Sequence, residues 1–387
     1  MPDRSYFDWN ATTPLRPAAR EAMAEALAVA GNPSSVHAEG RAARRVVERA
    51  REQVAALVDA NPPDVFFTSS GTEANMLALT PAIETQNEKQ PRDTLLISAI
   101  EHSSVRAGGR FPHKAIADLP VDGEGRVDLA ALKPALSGSS RALVSIMLAN
   151  NETGVIQPVA EAASIVHATG GLLHVDAIQA VGRIPVDIGT LDADFLTLSA
   201  HKIGGPKGVG ALVRRDDALH VVEPLIRGGG QERGMRAGTE NVPGIAAFGA
   251  AAAAVHSFAS EAGRMRALRD KLEVGLRAIS PKAVIFGSGA DRLPNTTLFA
   301  VEGLRAETAV IAFDLEGIAV SSGAACSSGK VQPSHVLAAM GVSPALLRGA
   351  VRVSLGWTTT ETDVERFLNA WIKLATALSK GQSGIAA

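Results

Sequence analysis

A single cysteine, Cys326, stands in 387 residues. The chain therefore has no internal disulfide framework, and its thiol chemistry is confined to one place. An excess of charge of either sign is also missing: 38 Lys and Arg against 40 Asp and Glu leave a formal net charge of −2. Nucleic acid calls for a strongly basic face, so no nucleic-acid partner is expected. Long hydrophobic runs are absent as well. The most apolar stretch, GIAAFGAAAAAVHSFA at 244–259, falls short of the roughly 20 residues a membrane span needs. It reads as a packed helix, and no membrane association is expected. The opening MPDRSYFDWN carries Asp3, Arg4 and Asp8 without an apolar signal core; together with the lone cysteine this points to a reducing cytoplasm. No internal repeat is visible, and low-complexity sequence is limited to the alanine run and the tail SKGQSGIAA.

What is present is enough apolar sequence for a large core, 46% of residues against 20% charged, in a chain long enough for one big domain and a smaller one. Short apolar runs such as DVFFTSS, TLLISAI, RALVSIMLAN, GLLHVDAI and DFLTLSA alternate with stretches of helical spacing such as AARRVVERAREQVAALV. This alternation predicts an α/β fold with a mostly parallel sheet covered by helices. Ligands in such sheets gather beyond the carboxyl ends of the strands, so the residues that follow each run are the informative ones.

The first exit, FFTSSGTEANMLAL, puts Ser69, Ser70, Gly71 and Thr72 at a helix start, which fits either an ordinary cap or an anion cradle. SAIEHSSV presents His102, which alone could be structural. LLHVDAIQA places Asp176 at a strand end with Gln179 three residues on, and DFLTLSAHKIGGPKG presents Ser199, His201 and Lys202. A lysine in such a turn can be a surface residue, and Asp176 can be a helix cap. A desolvated lysine can also form a Schiff base with an aldehyde. Pyridoxal phosphate would use all these groups at once: a carboxylate for its ring nitrogen, an amine for C4′, and hydroxyls with a helix start for its phosphate.

Two features invite other readings. FGSGADR at 286–292 begins like a dinucleotide fingerprint but lacks the third glycine. The helix carrying Arg41, Arg44, Arg45, Arg49 and Arg51 is basic, yet Glu48 and Glu52 interleave, as on a solvated face.

Taken together, DWNATTP (8–14), NPSSVHAEGR (32–41), SGTEAN (70–75), EHSSV (101–105), NNETG (150–154), HVDAIQ (174–179), SAHKIGGPKG (199–208), RGGGQERGMRAGTEN (227–241), SSGAACSSG (321–329), QPSHVL (332–337) and VRVSLG (351–356) resemble the cysteine desulfurases of the NifS/IscS type. These are fold-type I pyridoxal phosphate enzymes of the class V aminotransferase group, and the cysteine motif separates them from related aminotransferases. Trp9 stands where a small polar residue is more usual, a departure that concerns the entrance to the site.

The resemblance implies a large domain over 15–257, and a small domain built from 1–14 and 258–387. It also implies that Lys202 is the Schiff-base lysine, Asp176 the partner of the ring nitrogen, and His102 a residue stacked on the ring. Gly71, Thr72, Ser199 and His201 would hold the phosphate, and Gln179 the ring hydroxyl. Thr239 would reach the phosphate of the neighbouring subunit in a homodimer. Asn151 and Arg352 would position the substrate, L-cysteine. A guanidinium fork suits a carboxylate, although alternation in VRVSLG also allows an exposed strand arginine.

A cysteine chosen for packing would sit among large apolar side chains. Cys326 instead lies among Gly323, Ala324, Ala325, Ser327, Ser328 and Gly329, where a thiol of ordinary pKa, about 8.5, becomes a thiolate when a base or cation is near. The resemblance implies that this thiolate takes sulfur from the substrate as a persulfide, releases alanine, and passes the sulfur to an acceptor such as an iron–sulfur scaffold. A selenocysteine lyase or another class V reaction would use the same frame. A sulfur-carrier or scaffold subunit with the retained fold is a further alternative, against which the joint presence of Lys202, His102, Asp176, Arg352 and Cys326 speaks.

Overall fold

The computed structural model describes residues 4–139, 141–255, 259–323 and 333–383. Cys326 and the rest of 324–332 lie outside the described residues.

The apolar runs form a seven-stranded sheet: β1 (Val65–Thr68), β2 (Thr94–Ser98), β3 (Ile116–Leu119), β4 (Ala142–Met147), β5 (Leu172–Asp176), β6 (Phe195–Ser199) and β7 (Gly210–Arg214). Their order is β1-β7-β6-β5-β4-β2-β3. Every pairing from β6 to β3 is parallel, and β7 alone runs against its neighbours. The expected mostly parallel sheet is present. All residues of β4, β5 and β6 are buried, as in sheets covered on both faces.

The alanine-rich run is the helix Val242–Val255, packed as expected. It lies so close to the helix Ala38–Leu57 that a Cβ at Gly249 would come within 2.5 Å of the Ala50 Cα. The face bearing Arg41, Arg44, Arg45 and Arg49 is exposed. Arg51 departs from that expectation: it is buried, and its guanidinium pairs with Glu232.

A second sheet, antiparallel, contains β8 (Val284–Ile285), β9 (Thr296–Ala300), β10 (Ser321–Ser322) and β11 (Val351–Ser354) in the order β8-β9-β11-β10. Its core holds Phe299, Phe313, Phe367 and Trp371, with Phe313 stacked on Phe367 at 4.9 Å. The start of the chain joins this part: Ser5–Tyr6 pairs in parallel with Ile318–Ala319, and Asp8 bridges to Ser354. Residues 8–12 then run between the two sheets, where a cavity opens beyond the carboxyl ends of β1, β4, β5 and β6. Among the described residues, no single helix is long and apolar enough to cross a membrane.

Candidate active site

The cavity measures about 470 Å³ and is lined by Gly71, Thr72, His102, Asn151, Asp176, Gln179, Ser199, His201, Lys202 and Arg352. Residues far apart in sequence meet there because parallel strands bring their exits to one edge. Thr239 is exposed and lines a neighbouring hollow of about 180 Å³ with Ser69 and Gly208.

The helix Gly71–Ala78 starts at the cavity. Its cap is reciprocal: Ser70 Oγ accepts from the Glu73 N–H at 3.1 Å, and the Glu73 carboxylate accepts from the Ser69 N–H at 2.9 Å. N–H groups of the first turn have no intrahelical acceptor and favour an anion. A Cβ at 71 would lie 2.4 Å from Ile178 Cδ1, so any larger residue there would have to displace the end of that side chain.

Asp176 ends β5. Its Oδ2 accepts from Asn75 Nδ2 at 3.0 Å and its Oδ1 from the Ile178 N–H at 3.0 Å. Burial raises its pKa, although Asn75 and the nearby His102 and Lys202 pull the other way. A buried carboxylate so placed favours a cationic partner. His102 Nδ1 accepts from the Ser104 N–H at 3.2 Å, so the proton of the neutral ring sits on Nε2. Burial lowers its pKa. His201 is pushed down to about 4 by burial and then by the charge of Lys202.

The Lys202 amine donates to the carbonyls of Asn10 at 2.5 Å and Ala11 at 2.9 Å. Gln179 Nε2 donates to the same Asn10 oxygen at 3.0 Å. Asn10 is fixed in turn by the second sheet, with its N–H on Ser354 Oγ at 2.9 Å and its Nδ2 on Thr296 Oγ1 at 2.9 Å. These carbonyls and Asn75 had no role in the reading of the sequence; the only signal of them was their place in DWNATTP and SGTEAN.

The choice left open for Arg352 resolves to burial: it is 2% exposed. Nη1 donates to the Asn151 carbonyl at 3.0 Å and Nη2 to Asp8 Oδ1 at 2.8 Å, while Nε is buried without a partner among the described residues. Beside it, the Glu152 carboxyl accepts from Ser334 Oγ at 2.5 Å and is pushed up to about 7 by burial. Trp9 does not stand at the cavity mouth. It is buried against Gly356 and Trp357, with its Nε1 donating to the Tyr6 carbonyl at 2.8 Å.

Residues 5–367 match the family Aminotransferase class-V. A cysteine desulfurase of Cereibacter sphaeroides is 44% identical over 376 residues, covering 95% of this chain and 94% of that protein. An IscS-like cysteine desulfurase of Mycobacterium tuberculosis is 41% identical, covering 94% of each. The solved structure of a NifS-like protein from Rickettsia africae superposes with a TM-score of 0.85 at 37% identity, over 96% of this chain and 99% of that one. The chain belongs to the class-V aminotransferase family.

As a class-V aminotransferase the chain has the fold-type I architecture, and within that family its relatives are cysteine desulfurases. The family works with pyridoxal phosphate, and the residues present fit that cofactor. An amine at Lys202, a buried carboxylate at Asp176 and a helix start at Gly71 and Thr72 line one cavity, and Arg352 keeps a donor in reserve.

Proposed function

We propose that this class-V protein is a pyridoxal phosphate-dependent cysteine desulfurase, converting L-cysteine to L-alanine while Cys326 becomes a persulfide. The observation that carries the reading is the single cavity uniting Lys202, Asp176 and Arg352, in a chain whose relatives bear that name. When bound, pyridoxal phosphate supplies an aldehyde for the substrate amine and an electron sink for the α-carbon.

Asp176 would hold the ring nitrogen, His102 would lie on the ring, and Gln179 would face the ring hydroxyl. Gly71, Thr72, Ser199 and His201 would hold the phosphate. Lys202, seated against two carbonyls, would attach the cofactor and, once freed, take the α-proton. Arg352 and Asn151 would orient the substrate carboxylate, and the unpartnered Nε gives the guanidinium a donor to spend there. The Cys326 thiolate then attacks the substrate sulfur: an S–S bond forms, the Cβ–S bond breaks, and the carbon skeleton takes up protons to leave as alanine.

The remaining parts of the reading follow from the same resemblance. Thr239, exposed in the single chain, would complete the phosphate site of a partner subunit in a homodimer. The protein would work in the cytoplasm and hand its sulfur to an acceptor such as an iron–sulfur scaffold. Residues 15–257 would form the domain that binds the cofactor, with 1–14 and 258–387 forming the smaller one.

Incubation of the protein with pyridoxal phosphate and L-cysteine should yield alanine and protein-bound persulfide in equal amounts. Preferred release of selenide from selenocysteine, or keto-acid formation without persulfide, would replace this reading.

A further inference from the structure

Among the described residues, Arg183 is a buried cation whose hydrogen bonds run to a single neutral neighbour. It is 5% exposed. Nη1 donates to the Gln179 carbonyl at 2.5 Å and to Gln179 Oε1 at 2.7 Å. No carboxylate among the described residues forms an ion pair with it, and the charge acting on it is the like charge of Arg352. Burial, and then Arg352, bring its pKa down to about 10. Burying a guanidinium without a counter-charge is costly, and an apolar side chain would fill the same space without that penalty.

A guanidinium can only donate. The end of the Gln179 amide that faces Arg183 must therefore be the oxygen, and Nε2 is turned away from it. One Nε2 hydrogen goes to the Asn10 carbonyl at 3.0 Å, leaving the other for the cavity that Gln179 lines. The same Asn10 oxygen seats the Lys202 amine at 2.5 Å. We infer that Arg183 is a positioning residue: it locks Gln179 in one orientation, so that an N–H and never an oxygen faces the cofactor's ring hydroxyl, and it steadies the carbonyl on which Lys202 rests. This inference rests on the pyridoxal phosphate reading above.

The test uses the visible absorbance of the holoenzyme, followed with pH. Withdrawing an N–H from the ring oxygen makes the linked chromophore hold its proton more tightly. Arg183→Met should therefore move the absorbance midpoint upward by about one pH unit, and Arg183→Lys should restore most of the wild-type value. The other charged groups around Lys202, namely Asp176, His102, His201, Lys207 and Arg352, are the same in every variant. Introduced into Gln179→Leu, Arg183→Met should add less than half of the shift it causes in the wild type, because the two residues act as one unit. If Arg183→Met does not fold, Arg183→Gln gives the same comparison. A wild-type midpoint in the neutral variant, or an undiminished shift in the Gln179→Leu background, overturns the inference. Failure of the wild-type protein to form a visible chromophore would instead overturn the cofactor reading.

Discussion

Two arginines, Arg51 and Arg352, are equally hidden from water, 3% and 2% exposed, yet they are bonded in opposite ways. Arg51 gives Nη1 and Nη2 to the Glu232 carboxylate at 2.7 and 3.0 Å, Nε to Glu48 at 3.1 Å, and Nη1 also to the Val65 carbonyl at 2.7 Å. Burial pulls its pKa down, but the two carboxylates outweigh burial and raise it. Among the described residues, Arg352 has one carbonyl and one carboxylate, and no partner for Nε. A buried guanidinium with all three nitrogens bonded has little capacity left for a ligand. One left incomplete pays a desolvation penalty that only a ligand can offset. The first arrangement ties the segment holding Glu232 to β1, where the Phe67 N–H also donates to the Glu232 carboxylate at 2.8 Å; the second waits at the cavity.

The contrast can be broken by variants. The largest effects should come from the reacting groups. Lys202→Ala and Cys326→Ser should each lower alanine production by roughly 10³-fold or more, with melting temperatures near wild type. Cys326→Ser should keep the cofactor band and its response to L-cysteine, whereas Lys202→Ala should alter both. Alanine formed at the wild-type rate by Cys326→Ser would remove the cysteine from the mechanism.

Next in size, Glu232→Gln leaves Arg51 buried with its main partner neutralised. It should destabilise the fold by about 3–5 kcal/mol, while the double change to Met at 51 and 232 should recover most of that loss. Urea unfolding measures both, and KM for L-cysteine in the folded protein should stay near wild type. Arg352→Met should do the reverse: kcat/KM falls by about 10²-fold, as expected for a lost charge-assisted pair, with no loss in urea midpoint. A strongly destabilised Arg352→Met would place Arg352 with Arg51.

The smallest effect is a pH dependence. Glu101 is fully buried, with Oε2 unpartnered among the described residues, and burial followed by the charge of Asp176 pushes it up to about 8. Between its ordinary value of 4.5 and about 8, the folded state binds more protons than the unfolded one, so this group makes stability fall as pH rises. Glu101→Gln should therefore raise the urea midpoint more at pH 8 than at pH 5. Equal gains at the two pH values would show that the carboxyl does not titrate in this window.

The strand exits were legible because a polar cluster after an apolar run marks both an end and a ligand edge, as at Asp176 and Lys202. The seat of the lysine was not, because the carbonyls of Asn10 and Ala11 carry no side-chain signal. Alternation in VRVSLG told which residues share a face with Arg352, but not that Asp8 and Asn151 would meet its guanidinium there. Arg51 looked like its exposed neighbours because its partner Glu232 lies 181 positions away, beyond the reach of any local pattern. Trp9 was misplaced for a similar reason: Gly356 and Trp357, which enclose it, come from the far end of the chain.

The long loop closed by Asn10 has a consequence for synthesis. The carbonyl that seats Lys202 belongs to a segment anchored in part by Asn295, Thr296 and Ser354, which lie 285 to 344 residues downstream. At roughly 5–20 residues per second, the first strand-forming residues leave the ribosome tens of seconds before their partners exist. The large sheet can assemble meanwhile from neighbours close in sequence, as β4, β5 and β6 do. The lysine's seat is then a late checkpoint of translation. A nascent or truncated chain that stops before Ser354 carries every strand of the main sheet and still lacks the hydrogen bond from the Asn10 N–H to Ser354 Oγ.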